Sequence, residues 1–299
     1  MYSILETSLS AATFIDTNPE GVIHSVYRRT VNLRFGDHLL ALQTEGSPVS
    51  PLSLLLPVDE SGMDALAHPA GTPCRFDNRT LYIGDTAVAA LTEHTEIYED
   101  FLYAVHLSED FYNGVRRMLE KAPRGFARLI LEEELPENDL ILRAAKARMD
   151  EAAKLFRKNP KEAAATLASL IGLGGGLTPS GDDFLTGLLA AIGSVAVTAE
   201  HSGKRNHTER APRDDIAAFE GALRTAVRSR LSLTNDISAA FLEAALQGHF
   251  SKPVHALFRA SQGLPGSKTE EELLDAFLAV GHSSGMDTLL GICYSENLL

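Results

Sequence analysis

Residues 172–187 have the sequence GLGGGLTPSGDDFLTG, which predicts a tight turn followed by the start of a helix. Three consecutive glycines, 174–176, are disfavoured inside a helix or strand because ordering a glycine costs more backbone entropy than ordering any other residue. Thr178 is a favourable N-cap, and Pro179 suits the first helical position because its missing N–H needs no partner there. A glycine loop that opens onto a helix N-terminus exposes N–H groups. The stretch therefore predicts an anion site.

The two acids of this stretch allow two interpretations. Asp182 and Asp183 fall in the first turn, where carboxylates complement the positive end of the helix. In the structural interpretation they do only this, each contributing about 0.3–1 kcal/mol, and the stretch is simply a well-capped helix after a glycine turn. In the functional interpretation the acids, Ser180 and Gly181 line a ligand site together with the loop amides.

A second stretch near the C-terminus, GHSSGMDTLLG at 281–291, repeats the same pattern. Serine, glycine, aspartate, leucine and glycine recur at equal spacing in 180–187 and 284–291. Asp183 and Asp287 each precede a glycine by four residues, which places acid and glycine on one helix face and lets another backbone approach there. The repeat predicts that two helix N-termini converge and that both acids line one pocket. The alternative is a chance match between two serine-capped helices.

A third polar helix start lies between these two, in LTNDISAAFLEAALQGHF at 233–250. Thr234 is predicted to cap this helix, with Ser238 four residues later. His282, in the loop before the last helix, could act as a general acid or base, or could only bond backbone as a cap residue. The helix predicted over 214–230 has three arginines near its C-terminal end. They could compensate the negative charge of that helix end, or one of them could bind a substrate anion. They are Arg224, Arg228 and Arg230.

These three motifs, in this order, resemble a bacterial domain-of-unknown-function family typified by the AllH subunit of oxamate carbamoyltransferase. The resemblance covers about 167–292. It implies carbamoyl transfer from carbamoyl phosphate to oxamate, giving oxalurate and phosphate, in the nitrogen-recovering end of purine and allantoin breakdown. It also implies that the chain works with partner subunits, and it leaves open which subunit carries the chemistry.

Carbamoyl transfer requires a preorganised set of donors for phosphate and carbamoyl oxygens, and a positioned amide nitrogen. The loop amides suit the anion, while Asp183 and Asp287 could take a proton, orient an amine or bind Mg²⁺. No cofactor is required by this chemistry. The candidate catalytic residues are Asp182, Asp183, His282 and Asp287. The candidate ligand-binding residues are Gly174, Gly175, Gly176, Thr178, Ser180, Gly181, Thr234, Ser238, Ser283, Ser284 and Gly285.

Composition limits the class of partner. The chain has 299 residues, of which 44% are hydrophobic and 22% charged, as expected of a soluble globular protein. A formal net charge of −13 argues against nucleic acid, whose phosphates need a basic surface. The sequence contains no run long enough to span a membrane and no secretory signal, so cytoplasmic location is expected. The two cysteines have no metal-ligand spacing.

The spacing of hydrophobic residues predicts an α+β protein. Short apolar runs separated by Gly, Asn and Pro predict an N-terminal antiparallel β sandwich or barrel over 1–105. Segment 54–56, bracketed by prolines, is expected to form an edge strand or extended segment. Helical periodicity predicts a mainly α-helical domain over 106–299 that carries the glycine-loop site. The polar stretch 201–213 is expected to be an exposed loop.

Three functions remain open from the sequence. The first is a carbamoyltransferase subunit. The second is another phosphate-ligand enzyme, of the Mg-dependent kinase or acyl-phosphate type, although no lysine follows the glycines as a P-loop requires. The third is a non-catalytic assembly subunit that binds a small anion or only its partners.

Overall fold

The computed structural model describes residues 1–102, 105–131, 135–201 and 213–299. The chain forms two compact units. Unit 1 consists of 1–101 and 249–252, and unit 2 consists of 102–248 and 253–299. The α+β class is confirmed, because strands dominate the first hundred residues and helices the rest. The boundary predicted at residue 105 did not include the return of 249–252 to unit 1.

Unit 1 is built on one curled mixed sheet. Its strands are β1 Tyr2–Ser3, β2 Glu6–Ser8, β3 Glu20–Tyr27, β4 Thr30–Phe35, β5 His38–Gln43, β6 Ser53–Leu55, β7 Pro73–Asp77, β8 Thr80–Ile83, β9 Thr86–Ala90 and β10 Glu96–Tyr98, with helices α1 Leu9–Ile15 and α2 Glu60–Asp64. The order in the sheet is β1-β9-β8-β7-β3-β4-β5-β6-β2-β10. Three neighbouring pairs are parallel, namely β1 with β9, β2 with β10 and β5 with β6. The sheet is therefore mixed, not wholly antiparallel.

Hairpin turns and long-range pairing both determine the strand order of this sheet. Gly84 has a positive φ of 56° in the turn between β8 and β9, as its sequence indicates. In contrast, β6 lies between β5 and β2, so the expectation of an edge strand at 54–56 was wrong. The flanking prolines lie just outside the strand and leave its ladder intact. Buried aliphatic and aromatic side chains, among them Phe76, form the core on one face.

Unit 2 is helical. Its helices are α3 Glu109–Lys121, α4 Leu140–Phe156, α5 Pro160–Ala168, α6 Ser180–His201, α7 Arg213–Arg228, α8 Asp236–Leu246, α9 Lys252–Ser261, α10 Glu270–Leu278 and α11 Ser284–Tyr294, with 3₁₀ turns at Gly125–Ile130, Leu231–Leu233 and Ser295–Asn297. Ser108, Asp139 and Asn159 are N-caps, as their positions predict. The predicted loop at 201–213 lies largely outside the described residues.

Two predicted caps differ from the structure by one residue. The side chain of Asn235 caps α8 by accepting from the N–H groups of Ile237 and Ser238, so Thr234 is not the cap. Helix α6 begins at Ser180, and the Pro179 carbonyl accepts from Asp182 and Asp183. The hydroxyls of both threonines, Thr178 and Thr234, are thereby available for longer-range hydrogen bonds.

Helices α6 and α11 cross where each has a glycine. A Cβ at Gly187 would overlap the Thr288 carbonyl oxygen, and a Cβ at Gly291 would overlap the Phe184 carbonyl oxygen. These contacts are equivalent under the repeat in sequence, because Phe184 and Thr288 each lie four residues after the first serine of their helix. The two helices are thus related by a local pseudo-twofold axis, which brings their N-termini together.

The described helices include none with both the length and the apolar character of a membrane span. Cys74 and Cys293 are buried free thiols. Burial raises the pKa of Cys74 to about 12 and that of Cys293 to about 11, so both remain protonated near neutral pH.

Candidate functional site

The N-termini of α6 and α11 meet at a set of hydroxyl groups. The hydroxyl oxygens of Thr178 and Ser284 lie 2.8 Å apart, within hydrogen-bond distance. A Cβ at Gly181 would overlap the Leu170 carbonyl, and a Cβ at Gly285 would overlap the Phe277 carbonyl. Each helix start is therefore packed against the helix that precedes it in the same way. The convergence of two helix N-termini, inferred from the repeat in sequence, is present in the structure.

Asp183 is one of two acids at this junction. Its Oδ2 is buried and has no hydrogen-bond partner in the described part of the chain. Burial raises the pKa of Asp183 well above its ordinary value, and the negative charge of Asp287 adds to the rise. Hydrogen bonds from Ser284 and Thr178 oppose it. Relative to an ordinary aspartate, the protonated form of this carboxyl group is therefore favoured.

Asp287 is the second acid, and its side chain is completely buried. Its Oδ1 accepts the backbone N–H of Phe126 at 2.5 Å, whereas its Oδ2 has no hydrogen-bond partner among the described residues. Burial raises the pKa of Asp287 to about 6, and the hydroxyls of Ser180 and Ser283 and the Phe126 N–H limit the rise. At neutral pH this acid is mainly ionised.

The two first serines of the helices, Ser180 and Ser284, follow the pseudo-twofold axis in their contacts with the acids. Each acid is influenced by the first serine of the other helix: Ser284 acts on Asp183, and Ser180 acts on Asp287. Each is also influenced by a hydroxyl just before its own helix, from Thr178 or Ser283 respectively. The Phe126 N–H bonds only Asp287 and breaks this symmetry. Two neighbouring carboxyl groups with raised pKa values and different hydrogen-bond partners are suited to hold one as a proton donor and the other as an acceptor.

Asp182, which was predicted as catalytic together with Asp183, has a different environment. It is buried, and its Oδ1 accepts the N–H of Gly172 at 2.8 Å. Its Oδ2 accepts the hydroxyls of Thr234 at 2.5 Å and Ser238 at 2.6 Å. Thr234 and Ser238 thus use their hydroxyls to hold Asp182. The three side chains fix the start of the glycine loop to the N-terminal end of α8.

One part of the glycine loop packs closely against the start of α6, and another part has free space around it. Gly174 has φ of 128°, and a Cβ there would lie 2.6 Å from the Ser180 nitrogen, so the loop passes directly against the helix start. Gly176 has φ of 95°. Gly175 is exposed with open space around its Cβ position. The equivalent loop before α11 is shorter, so Gly174, Gly175 and Gly176 have no complete counterpart there.

His282 and the residues next to Asp287 define the rim of the site. The His282 side chain is exposed, and its carbonyl oxygen accepts Nη1 of Arg124 at 3.4 Å. A Cβ at Gly125, which has φ of 56°, would collide with the Asp287 carboxylate. Residues 124–126 therefore border the acids directly. In sequence, Pro123-Arg124-Gly125 is typical only of a helix end, and a glycine followed by a phenylalanine gives no sign of the distant Asp287.

The three arginines considered as anion ligands are occupied elsewhere. Arg224 pairs with Glu220 at 2.9 Å and donates to the Leu246 carbonyl. Arg228 lies 3.6 Å from Glu243, and Arg230 donates to the Ala226 carbonyl. In the described ranges, no three His, Cys, Asp or Glu side chains are grouped as a metal site would require.

Two family models match the chain. The model described as the AllH family N-terminal domain matches residues 4–96, and the model described as oxamate carbamoyltransferase subunit AllH matches residues 170–295. The chain belongs to the AllH family. No solved structure matches it. The 170–295 match to AllH contains both helix starts, with Asp183 and Asp287. Residues 124–126, which border Asp287 from another part of unit 2, lie outside both matched ranges.

Proposed function

We propose that this chain is a subunit of a carbamoyltransferase that transfers the carbamoyl group of carbamoyl phosphate to oxamate, and that the junction of α6 and α11 is its part of the active site. The observation that carries the proposal is the pair of buried, unpartnered Oδ2 atoms of Asp183 and Asp287 at two converging helix N-termini. The family match supports the reaction, and the word subunit in its description supports work with partner subunits. Because both substrates are cellular metabolites, we place the chain in the cytoplasm.

In this reaction the oxamate nitrogen attacks the carbamoyl carbon. A C–N bond forms, the bond from that carbon to the phosphate oxygen breaks, and one proton leaves the nitrogen and reaches the departing phosphate. In the proposal, ionised Asp287 accepts an N–H and takes the proton as the nitrogen attacks. Protonated Asp183 donates to the carbonyl oxygen as negative charge develops on it.

The other residues support these two acids. The amides of the glycine loop and the two helix N-termini stabilise phosphate, since each N-terminus carries about half a positive charge. Ser180, Ser283, Ser284 and Thr178 orient the acids through their hydroxyls. Asp182 positions the loop and does not contact the ligand. Binding of Mg²⁺ between Asp183 and Asp287 stays a prediction, and comparing ligand binding with and without Mg²⁺ tests it.

Ligand-dependent thermal unfolding tests the location of the site. Carbamoyl phosphate, oxamate and phosphate are added to the wild type, Asp183→Leu and Glu151→Gln, each with and without Mg²⁺. Glu151 is an exposed acid in α4 and is the matched control. Ligand at a hundred times its dissociation constant should raise the melting temperature of the wild type and the control by about 5 °C. Asp183→Leu should lose this shift, because leucine has no donor for the ligand. No shift for any ligand, or the same shift in Asp183→Leu, contradicts the proposal.

A further inference from the structure

The stretch 124–126 touches the site with three consecutive residues. The N–H of Phe126 bonds Asp287, and Gly125 packs against the same carboxylate. Arg124 reaches the loop before α11, where Nη1 contacts the His282 carbonyl at 3.4 Å. Its side chain is exposed. A guanidinium group is thereby held at the rim, one residue away from the backbone that packs on Asp287.

Arg124 differs from several other arginines of unit 2 in its charge environment. Arg116, Arg117 and Arg128 pair with Glu296, Glu270 and Asp139 respectively. In the described part of the chain, no carboxylate pairs with Arg124. Its one described hydrogen bond goes to a neutral carbonyl and is long, so most of its donors stay available for an anion.

The two acids and Arg124 would bind opposite kinds of ligand group. Oδ2 of Asp183 and Oδ2 of Asp287 are buried without partners, and the ionised oxygen requires an N–H donor. The planar guanidinium group of an arginine matches the two oxygens of a carboxylate or phosphate. A ligand that satisfies both has an N–H-bearing group at one end and an anion at the other.

We propose that Arg124 binds the anionic group of the ligand whose amide end contacts Asp183 and Asp287. The inference rests on the proposed function for the position of the site and adds the orientation of the ligand within it. The amide group of the ligand contacts Asp183 and Asp287. Its carboxylate or phosphate lies at the rim of the site, between Arg124 and the backbone N–H groups of the glycine loop. Arg124 is thus a binding residue that selects an amide carrying an adjacent negative charge.

The test compares two ligands of nearly equal shape in titration calorimetry. Oxamate carries an amide and a carboxylate, whereas oxamide carries a second, uncharged amide in place of the carboxylate. Arg124→Gln should weaken oxamate binding about ten- to a hundredfold, as expected for loss of a charged hydrogen bond. It should change oxamide binding by less than about twofold, because the acids are intact. Arg124→Lys should lie between wild type and Arg124→Gln for oxamate.

Arg143→Gln is the matched control. Arg143 is an exposed arginine of the same unit whose Nη1 also donates to a backbone carbonyl, that of Glu137, at 3.3 Å. This variant should bind both ligands as the wild type does. Unchanged oxamate affinity in Arg124→Gln, or an equal loss for oxamate and oxamide, overturns the role of Arg124 and leaves the proposed function standing. A wild type that binds neither ligand overturns both.

Discussion

At the scale of single residues, the environments of the two acids, Asp183 and Asp287, differ by one hydrogen bond. Asp183 and Asp287 occupy equivalent positions in the two helix starts, and each is influenced by the first serine of the other helix and by a hydroxyl just before its own helix. Only Asp287 accepts a backbone N–H, from Phe126. Hydrogen bonding to the ionised form lowers a carboxyl pKa, so this bond keeps Asp287 the more acidic of the two. In the proposed mechanism, this difference in environment, and not the residue type, makes Asp287 the proton acceptor and Asp183 the donor.

Asp287→Asn should stabilise the protein near neutral pH. The folded-state pKa of Asp287 is about 6, against an ordinary value of 3.8, so the folded state binds more protons than the unfolded state between these values. Stability therefore falls as pH rises from about 4 to about 6, and the loss is complete above that range. Asparagine retains an oxygen for the Phe126 N–H and removes the buried charge. The free energy of unfolding at pH 7.5 should rise by on the order of 2 kcal/mol.

Denaturant unfolding of the wild type and the variant at pH 4.5, 6 and 7.5 measures this difference, which should shrink toward acid pH. Asp182→Ala is the contrasting variant, because it leaves the Gly172 N–H and the Thr234 and Ser238 hydroxyls without their acceptor. It should destabilise by about 2–4 kcal/mol. An Asp287→Asn variant that is less stable than the wild type at pH 7.5 would contradict the claim that the buried charge of Asp287 destabilises the folded state.

At the scale of elements, the site depends on how closely α6 and α11 approach. Gly187 and Gly291 let each backbone contact the other, and this crossing brings Asp183 and Asp287 to one place. The close contact of backbones costs helix propensity at two positions, since glycine is about 1 kcal/mol worse than alanine in a helix. The packing of the two helices outweighs that cost.

Gly187→Ala and Gly291→Ala should each destabilise the protein by about 1–3 kcal/mol, because the added methyl group forces the helices apart. Gly221→Ala is the control. Gly221 is an exposed residue of α7, and a Cβ there meets nothing within 4 Å, so this change should stabilise by about 0.5–1 kcal/mol. Thermal unfolding followed by circular dichroism distinguishes the two signs. Stabilisation by Gly187→Ala would refute a tight crossing.

The sequence predicted those elements whose signals are local. The glycine turn before α6, and the residue types shared by the starts of α6 and α11, depend on residues within a few positions of each other. The parallel pairing of β5 with β6 and the approach of Phe126 to Asp287 depend on residues far apart in the chain. Asn235 and Thr234 are both good caps, and only the hydrogen bond from Thr234 to Asp182 decides between them. Tertiary contacts therefore supplied what local signals could not.

At the scale of the whole molecule, unit 1 is completed by a segment from the far half of the chain. The Phe250 N–H donates to the Asp100 carbonyl, and the Lys252 N–H donates to the Val49 carbonyl. His249 lies 3.0 Å from the buried carboxylate of Asp100. Burial raises the pKa of that acid, but the hydrogen bonds from His249 and Ser10 outweigh burial and lower it. Residues 249–252 are thus an integral part of the β unit.

Lys252→Gln should loosen strands β2 and β10. Lys252 contacts Glu6 at 2.5 Å and Glu96 at 3.0 Å, and these two glutamates face each other across the paired strands. Without the ammonium group the two negative charges repel. Because Lys252 is partly exposed, the effect should be modest, with amide exchange in β2 and β10 about fivefold faster.

Hydrogen exchange measured by mass spectrometry on the full-length chain checks this expectation. Lys161→Gln, in the exposed first turn of α5, is the control and should leave both strands unchanged. The helices of unit 2 should exchange at the wild-type rate in both variants. Equal protection of β2 and β10 in Lys252→Gln and in the wild type would show that the lysine does not hold the strands.

The discontinuity of unit 1 also determines when it can mature during synthesis. Its strands end at residue 98, but its last segment ends at residue 252. A ribosome adds about 5–20 residues per second, so the strands wait on the order of ten seconds for their final partner. During that interval Glu6 and Glu96 lack their lysine and Asp100 lacks its histidine. The nascent β unit must therefore persist as an unfinished intermediate. Its acidic residues gain their basic partners only after most of the helical unit has left the exit tunnel.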